Sequence, residues 1–332
     1  MRAAEDLHHT KFLLDMRKPS SNWTNDAIFH LRNLKYLQRE DFFQGFETAP
    51  IILTNNNERV GINDILSLAY AIRHRKPRFS WKSSLTSDRA VSYLKNISLK
   101  SFHEQNAILT NYLVEGAPGF LLANINPIKG LSNGTAVILH SLELDDREDA
   151  ENICYQLTCT SEYEISLKFL PKHILVEVPG VDPQKFENCT VVNGKVVIPL
   201  EANKKTFEAK LKIPYVNIRD KLSFRSHALE LGFATTVHKV QGKTCDKIIL
   251  DLNDRPFKPK INFHALYVAL SRVKNSKNIR LMPVQPGKFD LSHLEKLAPP
   301  TKLTQWLLAF NYFGGTSGLW ESEKAKFLHA KN

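Results

Sequence analysis

The 332-residue chain is poor in several things that would have narrowed its function at once. Four cysteines, Cys154, Cys159, Cys189 and Cys245, form no C-x-x-C, and no histidine pair completes a zinc spacing, so neither a disulfide scaffold nor a structural zinc site is expected. They read as reduced thiols of an intracellular protein. No window approaches 18 uninterrupted apolar residues, and the N-terminus "MRAAEDLHHT" has no apolar core of a signal peptide, so no membrane partner is expected. The dipeptide Asp-Glu occurs nowhere. A phosphate-binding loop is also wanting. Gly242-Lys243-Thr244 ends like one, but its first glycine would fall at Val237, and no glycine lies between Gly232 and Gly242. A β-branched valine is a poor substitute where backbone N–H groups must wrap a phosphate. Asp251 in "IILD" imitates the magnesium-binding aspartate of such sites, yet it follows Lys243 by eight positions, too few for the intervening helix and strand.

What is present is an ordinary globular composition, 42% hydrophobic and 24% charged, with an excess of cations: 45 Lys and Arg against 34 Asp and Glu, a formal charge of +11. Such an excess serves solubility at the least, and it also suits a polyanion, nucleic acid being the commonest.

Periodicity divides the chain. Residues 3–17 predict a helix with Leu7, Phe12, Leu13 and Met16 at helical spacing, and a second helix is expected from Asn25 or Asp26, either of which can cap it, with Ile28, Leu31, Leu34 and Leu37 inward. "PIILT" (50–54) predicts a buried strand, followed by a helix over 58–73 with Ile62, Ile65, Leu66, Leu68 and Ala69 on its apolar side. From about residue 107 short β-rich runs take over. The clearest is "TVVNGKVVIPL" (190–200), where Asn193-Gly194 predicts a type I′ hairpin turn. Strand, helix and strand return as "KIILDL" (247–252), "HALYVALSRV" (264–273) and "IRLMP" (279–283). The expectation is an α/β sheet domain interrupted by a small β module, with one amphipathic helix (Leu303, Trp306, Leu307, Phe310) in the tail.

Two stretches carry a family resemblance. "FATTVHKVQGKTCD" (233–246) resembles motif V of superfamily 1B DNA helicases of the Pif/RecD type, A-x-T-x-H-K-x-Q-G-x-T, matched by Ala234, Thr236, His238, Lys239, Gln241, Gly242 and Thr244. "LYVALSRV" (266–273) is similar to motif VI from Tyr267 to Val273. "IILTNNNERVGIND" (51–64) is similar to motif IV, and "LVEGAPGFLLANINPIKGLSNGTAVIL" (113–139) to the start of the β-barrel insertion of the second motor domain. Motifs I, II and III have no counterpart here.

The resemblance implies a RecA-like parallel sheet with helices on both faces, its first part over 1–106, a β-barrel insertion over 107–225, the remainder over 226–290 and a helical tail over 291–332. It implies the C-terminal half of an ATP-driven 5′-to-3′ DNA helicase. ATP and Mg²⁺ would be bound mainly by an N-terminal RecA-like partner domain that this chain lacks. No cofactor or metal ligand is expected for the chain alone, and the compartment implied is the nucleus or the mitochondrion. Arg272 matches the arginine finger, a guanidinium offered to the γ-phosphate. Gln241 and Gly242 fall where the motif turns towards the nucleotide. Thr236, His238, Lys239, Thr54 and Asn56 match positions beside single-stranded DNA, where hydroxyl, imidazole and backbone groups hold phosphates without reading sequence. Each has a plainer alternative: Arg272 as a surface residue ending a helix, and His238 as a satisfied structural histidine. Arg59 is open between a solvated helix face and a phosphate contact. The cations of "FRSH" (224–227) and "KKTFEAKLK" (204–212) read first as a solvated face, and otherwise as a strand groove for DNA. A basic single-stranded DNA-binding module without ATPase activity is the competing function.

Overall fold

The computed structural model describes residues 3, 5–17, 24–159, 163–181, 183–186, 190–202, 207–215, 218–254, 260–283, 291–295 and 297–300. The expected tail helix and Cys189 lie outside them. The chain is α/β and forms two compact units, Met1–Asn55 with Thr236–Asn332, and Asn56–Thr235.

The first unit is built on parallel strands in the spatial order Ile51–Leu53, Ile248–Leu250, Ile279–Leu281. The Ile51–Leu53 and Ile279–Leu281 strands both run parallel to Ile248–Leu250, with Ile52 opposite Leu250 and Ile249 opposite Arg280. The apolar residues of Ile51–Leu53 and Ile248–Leu250, buried at every position, are what parallel strands covered on both faces require. Helices Leu7–Met16, Asn25–Arg32 and Phe263–Leu270 share one core with these strands, through Phe12, Leu13, Met16, Leu31, Phe263, Leu266 and Leu270. Each such side chain contributes about 2 kcal/mol of burial.

Details depart from the expectations for physical reasons. Leu7 lies on the outer face of its helix, and His9 takes the inward place. The second helix is capped by Thr24, whose Oγ1 accepts from Ala27 N–H, rather than by Asn25 or Asp26. It ends at Arg32, before Leu34 and Leu37, because the backbone of Lys35 and Leu37 pairs with Leu281 instead.

The second unit opens with the helix Asn56–His74, whose buried line is Arg59, Asn63, Ser67 and Ala71 rather than the apolar set expected; Ile65 is exposed. This polar face is matched by polar partners. Arg59 pairs with Glu230, and Asn63 both donates to and accepts from the Ala234 backbone, at 3.0 and 2.8 Å. Arg59 is therefore neither solvated nor turned outward to a phosphate. A six-stranded antiparallel sheet runs in the order Leu229–Leu231, Pro118–Leu121, Ala136–Glu143, His173–Glu177, Lys195–Glu201, Thr190–Val192. Its last hairpin turns on Asn193 and Gly194 with φ of 50° and 75°, the two positive angles of a type I′ turn. A separate small core gathers Ala90, Phe102, Leu109, Leu211, Leu222 and Phe224 under the sheet of Phe207–Lys212, Arg219–Arg225 and Ser84–Leu85.

One buried ion pair locks the edge of the first unit's sheet. Arg280 Nε donates to Asp41 Oδ1 at 2.8 Å, both side chains being 8% exposed, and the guanidinium lies 4.4 Å from the Phe46 ring centroid. Removing one partner leaves the other charge buried and uncompensated. Asp41→Ala is expected to cost about 3 kcal/mol, read from the urea midpoint against the parent chain; a loss under ~1 kcal/mol would show that the pair is solvent-screened.

Candidate nucleic-acid and nucleotide-facing site

The parallel pairing puts the ends of Ile51–Leu53 and Ile248–Leu250 on the same side of the first unit. Thr54, half-buried, follows one, and Asp251 follows the other. The carboxyl ends of strands are where open α/β sheets bind ligands. Asp251 Oδ1 accepts from the Asn253 backbone and side chain, at 3.2 and 2.7 Å, and so organises its own loop.

Thr236 ends the short strand Ala234–Thr236, is buried, and precedes a single helical turn, Val237–Val240, without a side-chain cap bond. That turn leaves His238 exposed and Lys239 half-buried while Val237 and Val240 enter the core. Gln241 closes the turn, and Gly242 takes φ +83°, an angle that disfavours any side chain; both are exposed. Asn56 belongs to the second unit, at the start of its long helix, with Oδ1 accepting from Arg59 Nε at 3.1 Å.

Arg272 is not the last residue of a helix. The Phe263–Leu270 helix stops first, and Arg272 lies in the turn beyond, only 6% exposed. Its Nε donates to Val268 O at 2.7 Å, Nη1 to Lys243 O at 3.2 Å and Val240 O at 3.4 Å, and Nη2 to Ser271 Oγ at 2.6 Å. Cys245 N–H donates to Arg272 O at 2.8 Å. The guanidinium thus binds the ends of both helical segments, whose last carbonyls have no partner within the helix. Thr236, His238, Lys239, Gln241, Gly242 and Arg272 come together in one unit.

Residues that the sequence does not single out hold this turn from the other side. His9 Nε2 lies 3.0 Å from Leu270 O, and His9 Nδ1 lies 3.0 Å from His30 Nε2. A carbonyl can only accept, so Nε2 carries the proton and Nδ1 accepts from His30. Asp6 accepts from Ser276 N–H and Oγ at 2.9 and 2.7 Å and from His9 N–H at 2.9 Å. Burial opposes the Asp6 charge, but these bonds outweigh it and hold the carboxyl down to about 2. Burial lowers His9, against the pull of the Leu270 carbonyl and Asp6, and burial together with the neighbouring His9 takes His30 down to about 4. Spacing gives no sign of this relay, since His9 and His30 are 21 residues apart.

The donor set does not amount to a nucleotide site by itself. A Cβ placed on Gly242 would meet nothing within 4 Å, so the glycine serves a turn and not a close cradle, and the nearby carbonyls face a cation. Among the described residues no group of three His, Cys, Asp or Glu could hold a metal ion, and no helix is long and apolar enough to cross a membrane.

Residues 176–281 match the family model of the viral superfamily 1 RNA helicase core domain. The fold is that of the Pif1 helicases. The Pif1 helicase of Candida albicans is 16% identical over 93% of this chain and 59% of its own, with a TM-score of 0.53. The Bacteroides Pif1 helicase solved with ADP-AlF3 and ssDNA is 19% identical over 95% of this chain and 56% of its own, with a TM-score of 0.50. Another Bacteroides Pif1 structure, bound to ssDNA, gives 18% identity over 95% and 56%, with a TM-score of 0.50. The chain therefore spans 56 to 59% of the length of these helicases. No curated protein sequence matches it.

The histidine relay makes the first unit acid-sensitive. His30 folded titrates at about 4 against an unfolded 6.5, so its contribution is complete above pH 6.5 and is lost as pH falls towards 4. Between those values the unfolded chain binds more protons. The expected loss from pH 7.5 to pH 5 is at most about 2 kcal/mol, because the His30 ring is half-exposed and screened. His103 and His227, lowered chiefly by burial, shift the same way in the second unit, so the comparison is with His30→Leu. That variant should lose less stability than the parent over the same interval; equal losses in urea melts would remove His30 from the account.

Proposed function

We propose that this chain is the C-terminal motor half of an ATP-dependent DNA helicase that moves 5′ to 3′, completed by an N-terminal RecA-like half carrying the phosphate loop and the Mg²⁺ ligands. The observation that carries the reading is the bonding of Arg272 to the carbonyls of Val240 and Lys243, which makes motif V and motif VI one mechanical piece. Thr54, Asn56, Thr236, His238 and Lys239 are the contacts to a single DNA strand. Thr236 and His238 hold backbone phosphates, and Lys239 supplies charge beside them. Gln241 and Gly242 face the nucleotide, and Arg272 is the finger. When ATP and Mg²⁺ are held by the other half, they supply the chemical step. This chain then contributes the guanidinium that steadies charge on the transferring phosphoryl group. To do so Arg272 exchanges its carbonyl partners for the phosphate.

The same geometry favours a second reading. A guanidinium closed in by three carbonyls and Ser271 suits a structural latch, and then the chain is a single-stranded DNA-binding module without ATPase.

The two separate in the protein extended through its phosphate-loop half, with Arg272→Lys keeping the charge. A finger predicts that DNA-stimulated ATPase falls by about 10³ or more while affinity for a dT oligonucleotide stays near the parent's, whatever melting temperature the lost guanidinium bonds cost. A latch predicts that affinity and melting temperature fall together. For the chain alone, binding measured by fluorescence anisotropy should weaken steeply from 50 to 200 mM salt, with a slope of about −0.7 per phosphate held. His238→Ala with Lys239→Ala should weaken it further. Salt-insensitive binding, or an RNA oligonucleotide bound far more tightly than DNA, would overturn the DNA assignment.

A further inference from the structure

The second unit carries a basic surface that the motif V contacts do not use. Strands Phe207–Lys212 and Arg219–Arg225 form an antiparallel ribbon with its own core. Register decides what faces outward. Phe207 lies opposite Phe224, Ala209 opposite Leu222 and Leu211 opposite Asp220; there Leu211, Leu222 and Phe224 enter the core, and Asp220 bonds Tyr93 and Arg89. On the other face Lys210 stands opposite Lys221, and Lys212 opposite Arg219, all four exposed.

Like charges directly opposite each other destabilise a ladder. Two such pairs stand side by side here. Glu208 neutralises only Lys221, at 2.5 Å. Lys210, Lys212 and Arg219 have no carboxylate within ion-pairing distance among the described residues, nor does Arg225 further along the same face. Alternate residues on a strand are roughly 7 Å apart, close to the phosphate spacing of an extended single strand. Tyr215, near the tip of the ribbon, is 81% exposed and holds φ +65°. Its hydroxyl reaches Ser101 Oγ at 2.9 Å, which anchors one end of the ring and leaves its faces to solvent.

We propose that this ribbon is a second nucleic-acid contact of the chain, on which Lys210, Lys212 and Arg219 hold successive phosphates of a single DNA strand while Tyr215 stacks on a base. Cations following a backbone, with an aromatic platform beside them, are how single strands are held without sequence preference. The inference rests on the reading of this chain as a partner of single-stranded DNA, and it adds a surface outside the family's motifs V and VI. The unfavourable register follows from it: the face repels itself when empty and is relieved when a polyanion lies on it.

The test uses the whole chain and a fluorescein-labelled dT oligonucleotide. In the triple variant Lys210→Gln, Lys212→Gln, Arg219→Gln, affinity at 50 mM salt should fall on the order of tenfold. The slope of log K against log salt should shrink by about 2, three phosphates at ~0.7 each. Its melting temperature should equal or exceed the parent's, because repulsion has been removed. Glu208→Gln should strengthen binding, which keeps the test open if the triple variant folds poorly. Tyr215→Leu should weaken binding without altering the slope; unchanged affinity there would remove the stacking contact.

The proposal is overturned if the triple variant and Glu208→Gln keep the parent's affinity and slope while His238→Ala with Lys239→Ala loses binding. The strand then lies on motif V alone, and the proposed function stands. If no variant of either surface alters binding, the DNA-contact reading of the chain fails with it. If polyglutamate displaces the oligonucleotide from the parent chain as well as unlabelled dT does, and the triple variant abolishes that competition, the ribbon belongs to an acidic protein partner and not to DNA.

Discussion

A buried guanidinium must find acceptors for its donors, and Arg272 finds them on two helix ends at once. The last carbonyls of any helix have no partner within it. Val240 O and Lys243 O, at and beyond the end of Val237–Val240, and Val268 O, near the end of Phe263–Leu270, all accept from the same side chain. His9 takes Leu270 O, so the second helix end is held from two sides. Each of these bonds contributes about 1–2 kcal/mol, but leaving any partner buried and unmade costs more. While these bonds stand, the turn that carries Arg272 does not shift without the turn that carries Lys243.

The second unit can be as large as it is because of the sheet's sense. Neighbouring parallel strands cannot be joined by a tight turn and need a long crossover in any case. Once the chain must leave after Leu53, the entropic cost of a longer excursion rises only with the logarithm of its length. The excursion is clasped at its root instead. Arg59 and Asn63, just after the exit, meet Glu230 and Ala234, just before the return, each pair 171 residues apart. Asn63 imitates a neighbouring strand, giving Ala234 both a donor and an acceptor. That explains why a helix whose sequence promises an apolar stripe buries a polar one: at these positions the partners are backbone and charge.

How much could be read from the sequence follows the range of the interactions. Strands Ile51–Leu53 and Ile248–Leu250 were legible because three consecutive apolar residues between turn signals have few other uses, and Ile279–Leu281 because two apolar residues alternate around Arg280. The Asn193-Gly194 hairpin was legible because two positive φ angles are a local demand. The site segments were legible as motif strings. What the strings hid was geometry set by distant partners: His9 turned inward for Leu270 O, Arg59 closed by Glu230, and Arg272 drawn past the end of its helix into a bed of carbonyls. The ribbon's like-charge face was hidden for the same reason. Composition counts Lys210, Lys212, Arg219 and Lys221, but only the register puts them opposite one another.

The polarity of the backbone explains why Gly242-Lys243-Thr244 resembles a phosphate loop without being arranged as one. A phosphate loop turns a row of N–H groups inward, because an anion needs donors. Here the carbonyls of Val240 and Lys243 turn towards Arg272, and an acceptor row is a bed for a cation. An anion in the same place would meet oxygen lone pairs. Gly242 is needed, but for its φ of +83°, which lets the chain reverse after Gln241 and bring the Lys243 carbonyl back under the guanidinium. The same three letters thus serve opposite electrostatic ends, and the sign of the backbone groups, rather than the letters, tells which.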